Sequence, residues 1–439
     1  MTSFRSSGRF RRTHGQNPRA LRPAAQALPL AALAAGWAVA AWFLWQTSVP
    51  GDLHRPHVSA SAEFGAAVLH RTARFEGFLR WEWVAATLVE LTALVVLARL
   101  GPGIARAFEL GRVGTGVMVG AVTTLALWVV GLPFGFLDLW WSRRYHVEKQ
   151  GYLSWLLAQW PSLLARVVGL TIVLTILLLL AGWLRRRWWL AAGPLFVAIG
   201  AGLAFVLPYL ITLDTRTPHK TKLAAEIRQL AREEGVGDTP VRIEEVSDDT
   251  RLANAETIGF GPSTRVIIWD TFLTGRFKPG EIKVVAAHEF GHVAHRHIWK
   301  GIAWSALLTI PLFYLVAVAT RRRGGMARPE VVPFALLVLA VLGLAVTPFT
   351  NAISRRYEAE ADWSALRATR DPKDAEGLFE KFASLDLQQP NPPGWSYVWL
   401  DNHPTIVQRI ALARAWAALN GRTGKAGTTS SGRRRKRAP

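Results

Sequence analysis

The sequence predicts a mainly helical, polytopic membrane protein of about seven spans that carries a smaller α+β domain outside the bilayer. Half of the 439 residues are hydrophobic, and they are gathered into long blocks rather than spread evenly. The polar residues are concentrated in two stretches, at about 214–300 and 351–420, that are long enough to fold outside lipid. A soluble chain of this length would instead form two or three domains.

Seven apolar blocks are candidate membrane spans, because a span needs ~20 mostly apolar residues. Arg and Trp cluster between blocks, as at 140–144 and 185–189, which is typical of the interfaces of a polytopic protein. The first block follows a basic stretch, as a signal peptide does, but six more blocks follow and we interpret it as a span. The blocks are 28–46, 83–100, 115–137, 162–183, 188–211, 301–319 and 332–349.

These blocks divide the chain into six parts. Basic tails stand at both ends, and their composition predicts disorder. Five spans precede the larger polar segment, and two follow it. The parts are 1–27 (basic tail), 28–213 (five spans), 214–300 (larger polar segment), 301–350 (two spans), 351–420 (smaller polar segment) and 421–439 (basic tail).

The larger polar segment combines helical and strand signals. Residues 223–235 have the apolar period of an amphipathic helix, and 241–246 alternate as a strand does. Residues 255–260 and 264–269 predict a hairpin around a Gly-Pro-Ser turn. A further helix begins near Pro279, and the smaller polar segment is predicted to be helical.

Charge and cysteine content restrict the partners. The formal net charge is +21, and much of the excess lies in the tails and in short loops beside apolar blocks. We interpret these cations as contacts with a lipid bilayer and expect no nucleic-acid partner. Cysteine is absent from the sequence, which excludes disulfides and thiolate metal sites, so a metal ion must use His, Asp or Glu.

The most informative motif is His-Glu-Phe-Gly-His at 288–292. Residues four apart share one face of a helix, so His288 and His292 can both bind one metal ion. Glu289 lies about 100° around the helix and can reach a water on the open side of that metal. Zinc lowers the pKa of such a water towards ~7, and the carboxylate would take its proton during attack on a carbonyl. The alternative is a solvated helix whose histidines bind nothing.

A third ligand is expected, because catalytic zinc has three protein ligands and one open position. Glu358 and Asp362 lie four residues apart on one face of a predicted helix, whereas Glu360 points elsewhere. We predict that Glu358 binds the metal and that Asp362 orients a ligand imidazole. The alternative is a surface helix with solvated carboxylates.

One extended zinc motif places its third ligand, a His, six residues after the second. Ile298 occupies that position here, which favours a distant Glu as the ligand. We interpret the nearby His295 and His297 as structural or interfacial residues.

With these motifs, the chain resembles the type I CAAX prenyl protease family and its bacterial relatives, which are seven-span gluzincin metallopeptidases with a zincin-like catalytic domain. The resemblance covers roughly residues 75–415. The family commonly has Tyr at the position of Ala359, and its eukaryotic members commonly have a second Pro after Pro404. The matching stretches are His288–His292 with His297, Ser354-Arg355 with Glu358 and Asp362, Asn254-Ala255 with Gly259-Phe260-Gly261, His403-Pro404 with Arg409, and 147–152.

The resemblance implies further roles. Asn254 and Ala255 would align an extended peptide substrate along an edge strand. His403 and Arg409 would stabilise the oxyanion of the tetrahedral intermediate, although a His before Pro also fits a helix start. Arg355 could equally form a salt bridge with Glu358 or Asp362.

The leading hypothesis is a membrane zinc endopeptidase with one Zn²⁺ per chain, acting on membrane-associated, hydrophobic or lipidated peptides or on membrane proteins. An intramembrane protease is the first alternative, but Glu281, Lys283, Arg296 and Lys300 flank the motif with charge. A zinc-stabilised membrane scaffold is the second, and it would have no need of Glu289. The sequence carries no signal for an oligomeric state.

We expect a multi-pass protein of the cell membrane. Counting positive charges places the metal site outside the cytoplasm, because the N-terminal tail shares a side with the loops at 185–187 and 321–323. The family resemblance and the basic C-terminal tail favour the cytoplasmic face, which we adopt. Glu90, inside the second block, either lines a water-filled chamber or lies near the interface.

Overall fold

The computed structural model describes residues 22–434, and helices dominate it. Of the two predicted tails, 1–21 and 435–439 lie outside the described residues, and the backbone of the remainder belongs to the first and last helices. The helices are α1 (Arg22–Trp45), α2 (Ala60–Glu63), α3 (Ala66–Arg106), α4 (Gly111–Arg144), α5 (Tyr152–Leu184), α6 (Trp188–Ile211), α7 (Lys222–Glu233), α8 (Pro279–Ala294), α9 (His297–Thr320), α10 (Val332–Thr369), α11 (Pro372–Ser384), α12 (Gly394–Trp399) and α13 (Ile406–Arg434).

Five helical stretches are long and apolar enough to cross a membrane, which confirms the predicted fold class. The stretch at 152–214 contains both α5 and α6, joined by a turn at Arg185–Arg187. The first predicted block lies in α1, where the residues whose side chains the structure describes include the apolar stretch Ala31–Trp45. The count of seven therefore stays a prediction. The five stretches are Ala66–Arg106, Gly111–Arg144, Tyr152–Asp214, His297–Arg323 and Pro329–Thr369.

The chain divides into two units after Gln46. The first unit contains α1. The second contains all other elements, including every residue discussed below.

The domain outside the spans contains one small sheet with strand order β1-β2-β4-β3. The predicted hairpin is present, because β3 pairs antiparallel with β4. Its turn depends on Gly259, which has φ +74 and where an added Cβ would lie 2.4 Å from the carbonyl oxygen of Ser263. The sheet order leaves β3 at the edge. The strands are β1 (Thr215–Arg216), β2 (Val241–Glu244), β3 (Ala255–Ile258) and β4 (Arg265–Trp269).

Helix α8 begins as the sequence predicts and is buried over most of its length. Pro279 is its first residue, and the Glu281 carboxylate accepts a hydrogen bond from the Lys278 N–H (2.7 Å). This contact satisfies one of the backbone donors at the start of the helix. Phe290 is fully buried in the core between the sheet, α8, α10, α11 and α13.

The close approach of α8 to α10 depends on Gly291. A Cβ added there would lie 3.0 Å from Ser364 Cβ and 3.2 Å from Ala361 Cα. Small residues on both helices let the backbones pack closely, which brings the 288–292 and 358–362 turns together.

We expect Gly291→Val to reduce the free energy of unfolding by roughly 1–3 kcal/mol, because the added carbons push α8 away from α10. Thermal unfolding of the purified protein in detergent measures this. Gly301→Val is the matched control, since a Cβ at Gly301 in α9 meets nothing within 4 Å. Equal destabilisation by the two substitutions would contradict this packing.

Candidate active site

The two motif histidines face a common point, as their helical spacing predicts. His288 and His292 lie one turn apart in α8, and their Nε2 atoms are 3.1 Å apart. The two rings are inclined at 69° to each other. The pair can bind a cation only if each ring carries its hydrogen on Nδ1, because the Nε2 lone pairs are then free.

Asp362 determines the tautomer of His288. The His288 Nδ1 atom lies 2.9 Å from Asp362 Oδ1, and a carboxylate only accepts, so Nδ1 carries the hydrogen. Arg409 holds the same carboxylate with two hydrogen bonds, from Nε (2.8 Å) and Nη2 (2.6 Å). The orienting role predicted for Asp362 therefore fits its position, and the Nε2 lone pair of neutral His288 is directed towards His292.

A second imidazole determines the tautomer of His292. His297 Nε2 lies 3.0 Å from Glu360 Oε2 and donates to it, which leaves the His297 Nδ1 free to accept. The His292 Nδ1 atom lies 2.9 Å from that acceptor and donates to it. Lys300 Nζ (3.2 Å) and the Ser48 N–H (2.5 Å) also bind Glu360.

This chain from His292 through His297 to Glu360 is absent from the sequence-based expectations. Glu360 does point away from the metal-binding face, but it is buried rather than solvated. Arg296 adopts a left-handed conformation (φ 55°) between α8 and α9, which turns His297 back towards His292. The sequence shows that His297 stands close after the motif, but this spacing does not reveal its contact with Glu360.

Glu358 completes the site. Its Oε2 atom lies 3.2 Å from His288 Nε2, and its Oε1 atom lies 3.5 Å from His292 Nε2. Oε2 is buried without a hydrogen bond, although His403 Nε2 is also 3.2 Å away. Such an unpaired buried oxygen is unfavourable unless a cation binds it.

The donor set fits a tetrahedral metal. Bonds of about 2.0–2.2 Å place neighbouring ligands about 3.4 Å apart, close to the separations in this group. All three ligand atoms lie within 4.8 Å of one another. Two imidazoles and a carboxylate, without thiolate, suit zinc and leave a coordination position open.

The pKa values of the two imidazoles differ because of their surroundings. Burial lowers the pKa of His292 to about 3, which favours the neutral form that binds metal. Burial also opposes the charge on His288, but the carboxylates of Asp362 and Glu358 outweigh it and raise the pKa of His288 to about 10. His288 and Glu358 together therefore attract a cation, either a proton or a metal ion.

Glu289 is held by a residue that sequence reasoning missed. Thr257 Oγ1, on β3, lies 2.9 Å from Glu289 Oε2 and 2.9 Å from the Glu289 carbonyl oxygen. Burial raises the pKa of the Glu289 carboxyl. Thr257 stands two residues after Ala255, so strand alternation puts both on one face and could have suggested it.

A cavity of about 290 Å³ contains most of the predicted residues. His288 and Glu289 line it from α8, and Asn254 and Ala255 line it from the edge strand region. Ala255 begins β3, which pairs only with β4 among the described strands. Asp362, His403 and Arg409 also line it.

His403 is not the residue that caps helix α13. Thr405, not His403, precedes the helix α13, and Thr405 and Gln408 exchange hydrogen bonds at its start (3.0 and 3.3 Å). His403 is about half exposed and contacts Glu358 from the open side of the cavity.

The two predicted arginines have different partners. Arg355 forms no ion pair with Glu358 or Asp362 within the described residues, because its Nη1 donates to the carbonyls of Tyr397 (2.9 Å) and Asp401 (2.5 Å). It holds the segment that leads to His403. Arg409, rather than Arg355, is the arginine partner of Asp362, and it donates to that carboxylate through Nε and Nη2. Its predicted role with an oxyanion stays a prediction.

Comparisons with known proteins show which family this chain belongs to. The model of peptidase family M48 matches residues 218–417. "Uncharacterized metalloprotease YhfN" of Bacillus subtilis is 30% identical over 324 residues, which are 69% of this chain and 73% of that protein. "Protease HtpX" of Pseudomonas fluorescens is 29% identical over 36% of this chain and 54% of its own length.

A eukaryotic relative and a solved structure extend the comparison. "CAAX prenyl protease 1 homolog" of Taenia solium is 24% identical over 62% of this chain and 66% of that protein. The crystal structure of S. mikatae Ste24p has a TM-score of 0.68, with 18% identity, over 86% of this chain and 96% of that one. The resemblance seen in the motifs is confirmed, and the chain belongs to peptidase family M48 as a multi-pass membrane metalloprotease.

Proposed function

We propose that this chain is a zinc endopeptidase in which His288, His292 and Glu358 hold one Zn²⁺ and Glu289 is the general base. The observation that carries the proposal is the convergence of two imidazole lone pairs and an unpaired buried carboxylate oxygen on one point. The buried carboxyl of Glu289 lines the cavity that His288 also lines. A metal-stabilised scaffold would not need this fourth group.

A zinc ion held by His288, His292 and Glu358 would polarise the scissile carbonyl and lower the pKa of the water that attacks it. Glu289 accepts the proton of the attacking water and passes it to the leaving amine. Burial raises the pKa of its carboxyl, which moves it towards the range where a group can first accept and then donate a proton. Thr257 binds one carboxylate oxygen (2.9 Å), so the other can face the water.

The edge strand is the proposed substrate platform. An extended peptide would lie beside β3 by strand addition, with Asn254 and Ala255 supplying hydrogen bonds within the cavity. His403 lies beside Glu358 (Nε2 to Oε2 3.2 Å), where its imidazole could face a developing oxyanion. Arg409 would act indirectly, by holding Asp362 and therefore His288.

Membrane-associated or hydrophobic peptides, including lipidated ones, are the proposed substrates. The site shares α9 and α10 with two candidate spans, which supports cleavage close to the bilayer surface. The motif itself lies in α8, which belongs to none of the five candidate spans, and this argues against cleavage at membrane depth. The resemblance to CAAX prenyl proteases supports lipidated substrates and a site on the cytoplasmic face.

We expect Glu289→Gln to retain one zinc per chain and to lose hydrolysis by about 100- to 10,000-fold, because the amide cannot accept the proton. Metal analysis by mass spectrometry and cleavage of a fluorogenic peptide measure the two effects. The substitution is nearly isosteric, so unchanged zinc content is its internal control. Undiminished turnover in this variant would exclude Glu289 as the base.

We expect Glu358→Ala to lose stoichiometric zinc, since two imidazoles alone leave the ion under-coordinated. Dialysis against a weak chelator followed by metal analysis tests this. Glu380→Ala, at an exposed carboxylate on α11, is the matched control. A full complement of zinc in the Glu358 variant would remove this residue from the ligand set.

We expect His297→Ala to weaken zinc binding by about 10- to 100-fold, because His292 loses the acceptor that fixes its tautomer. Competition with a chromophoric chelator gives the affinity without any activity measurement. His295→Ala is the control, as His295 contacts Glu360 (3.4 Å) rather than a ligand imidazole. If both variants bind zinc equally well, His297 has no positioning role.

A further inference from the structure

A second cavity, of about 430 Å³, lies where α4 ends and α5 begins, and we call it the basic pocket. Trp140 and Tyr152 contribute aromatic walls from the two helices. Arg144 and Lys149 line it from the end of α4 and the following loop, and Arg251 lines it from the segment before β3. None of these residues takes part in the metal site.

The pocket has an uncompensated positive charge. Arg143, Arg144, Lys149 and Arg251 line it, and none forms an ion pair within 4.0 Å with a carboxylate of residues 22–434. The partners of Arg143 and Lys149 are neutral: Arg143 donates to the carbonyl of Lys149 (2.7 Å), and Lys149 donates to that of Ser247 (2.5 Å). Neutral acceptors leave the formal charge in place.

The lining contains one acidic residue, Glu148, beside these four cations. Its Oε1 accepts a hydrogen bond from Thr250 (2.9 Å), so it is directed towards the 247–251 segment. Burial raises the pKa of its carboxyl, which favours the neutral form.

Two further features favour an anion. Arg143 lies over the Tyr152 ring (5.1 Å) and Arg144 over the Trp140 ring (5.9 Å), so aromatic faces limit where the guanidinium groups can move. Tyr152 is also the first residue of α5, a 33-residue helix whose N-terminal end carries a partial positive charge. The helix end and the side chains therefore act on the same space.

The position of the pocket indicates the source of the anion. It lies between the ends of two candidate membrane spans and beside the domain outside them. Trp and Tyr are typical of the headgroup region, and basic pockets at that depth bind lipid phosphates. We propose that the basic pocket binds a phosphate anion, presented by the headgroup of an anionic phospholipid.

A bound phosphate would also stabilise the segment that leads into β3, the proposed substrate strand. The Lys149 N–H donates to the Asp249 carbonyl (2.7 Å), and the Arg251 N–H donates to the Val147 carbonyl (2.8 Å). The same segment continues directly into Asn254 at the active-site cavity. A lipid phosphate held by Arg144 and Arg251 would attach both the loop after α4 and the segment before β3 to the membrane surface.

The test uses full-length protein exchanged from detergent into phosphatidylcholine nanodiscs with or without phosphatidylglycerol. Native mass spectrometry counts retained phosphatidylglycerol, and thermal unfolding reports stabilisation. The test variant is Arg144→Gln with Arg251→Gln, at two exposed positions. The matched control is Arg186→Gln with Arg187→Gln, also exposed, in the turn between α5 and α6.

We expect the wild type and the control to retain phosphatidylglycerol and to be stabilised by it, and the test variant to bind it roughly tenfold or more weakly. Equal retention by the two double variants would overturn the proposal. Inorganic phosphate, added at constant ionic strength, distinguishes the source. If it stabilises the wild type and displaces the lipid, the pocket is a free-phosphate site and the lipid assignment is wrong.

Discussion

Two imidazole lone pairs, directed at each other with their Nε2 atoms 3.1 Å apart, are the constraint on which the rest of the site depends. Neutral imidazoles would turn away from this contact if their other nitrogens were free. They are not free, because Asp362 holds one ring and His297 holds the other. With the unpaired oxygen of Glu358 beside them, the lone pairs form a site that only a cation can satisfy.

One helix supplies the acidic side of this arrangement. Glu358 and Asp362 lie one turn apart in α10 and face the motif, whereas Glu360 projects from the other side and reaches His297. Both ligand imidazoles are thus anchored to the same rigid element from opposite directions. Close packing at Gly291 brings α8 to α10, and the left-handed turn at Arg296 brings the start of α9 there as well. The left-handed backbone of Arg296, a non-glycine residue, is less stable than an ordinary conformation by about 1–3 kcal/mol.

The proposed base and the proposed substrate platform share one strand. Ala255 and Thr257 lie on the same face of β3, so the strand that lines the cavity also holds the proposed base through the Thr257 hydroxyl. Any shift of β3 would therefore move Glu289 as well. The loop at 147–150 forms backbone hydrogen bonds with the segment that leads into β3. This contact gives a physical reason for the resemblance of residues 147–152 to the CAAX prenyl protease family.

Local helix geometry explains what the sequence alone determined. Hydrogen bonds within a helix fix the 3.6-residue period, so the shared faces of His288 with His292 and of Glu358 with Asp362 follow from spacing. The apolar blocks likewise determined the membrane class through composition. Only the tertiary structure decided the long-range partners: Arg409 rather than Arg355 on Asp362, Glu360 behind His297, and Thr257 on Glu289. These pairs are 47, 63 and 32 residues apart, and such contacts depend on how whole elements pack, which no local period encodes.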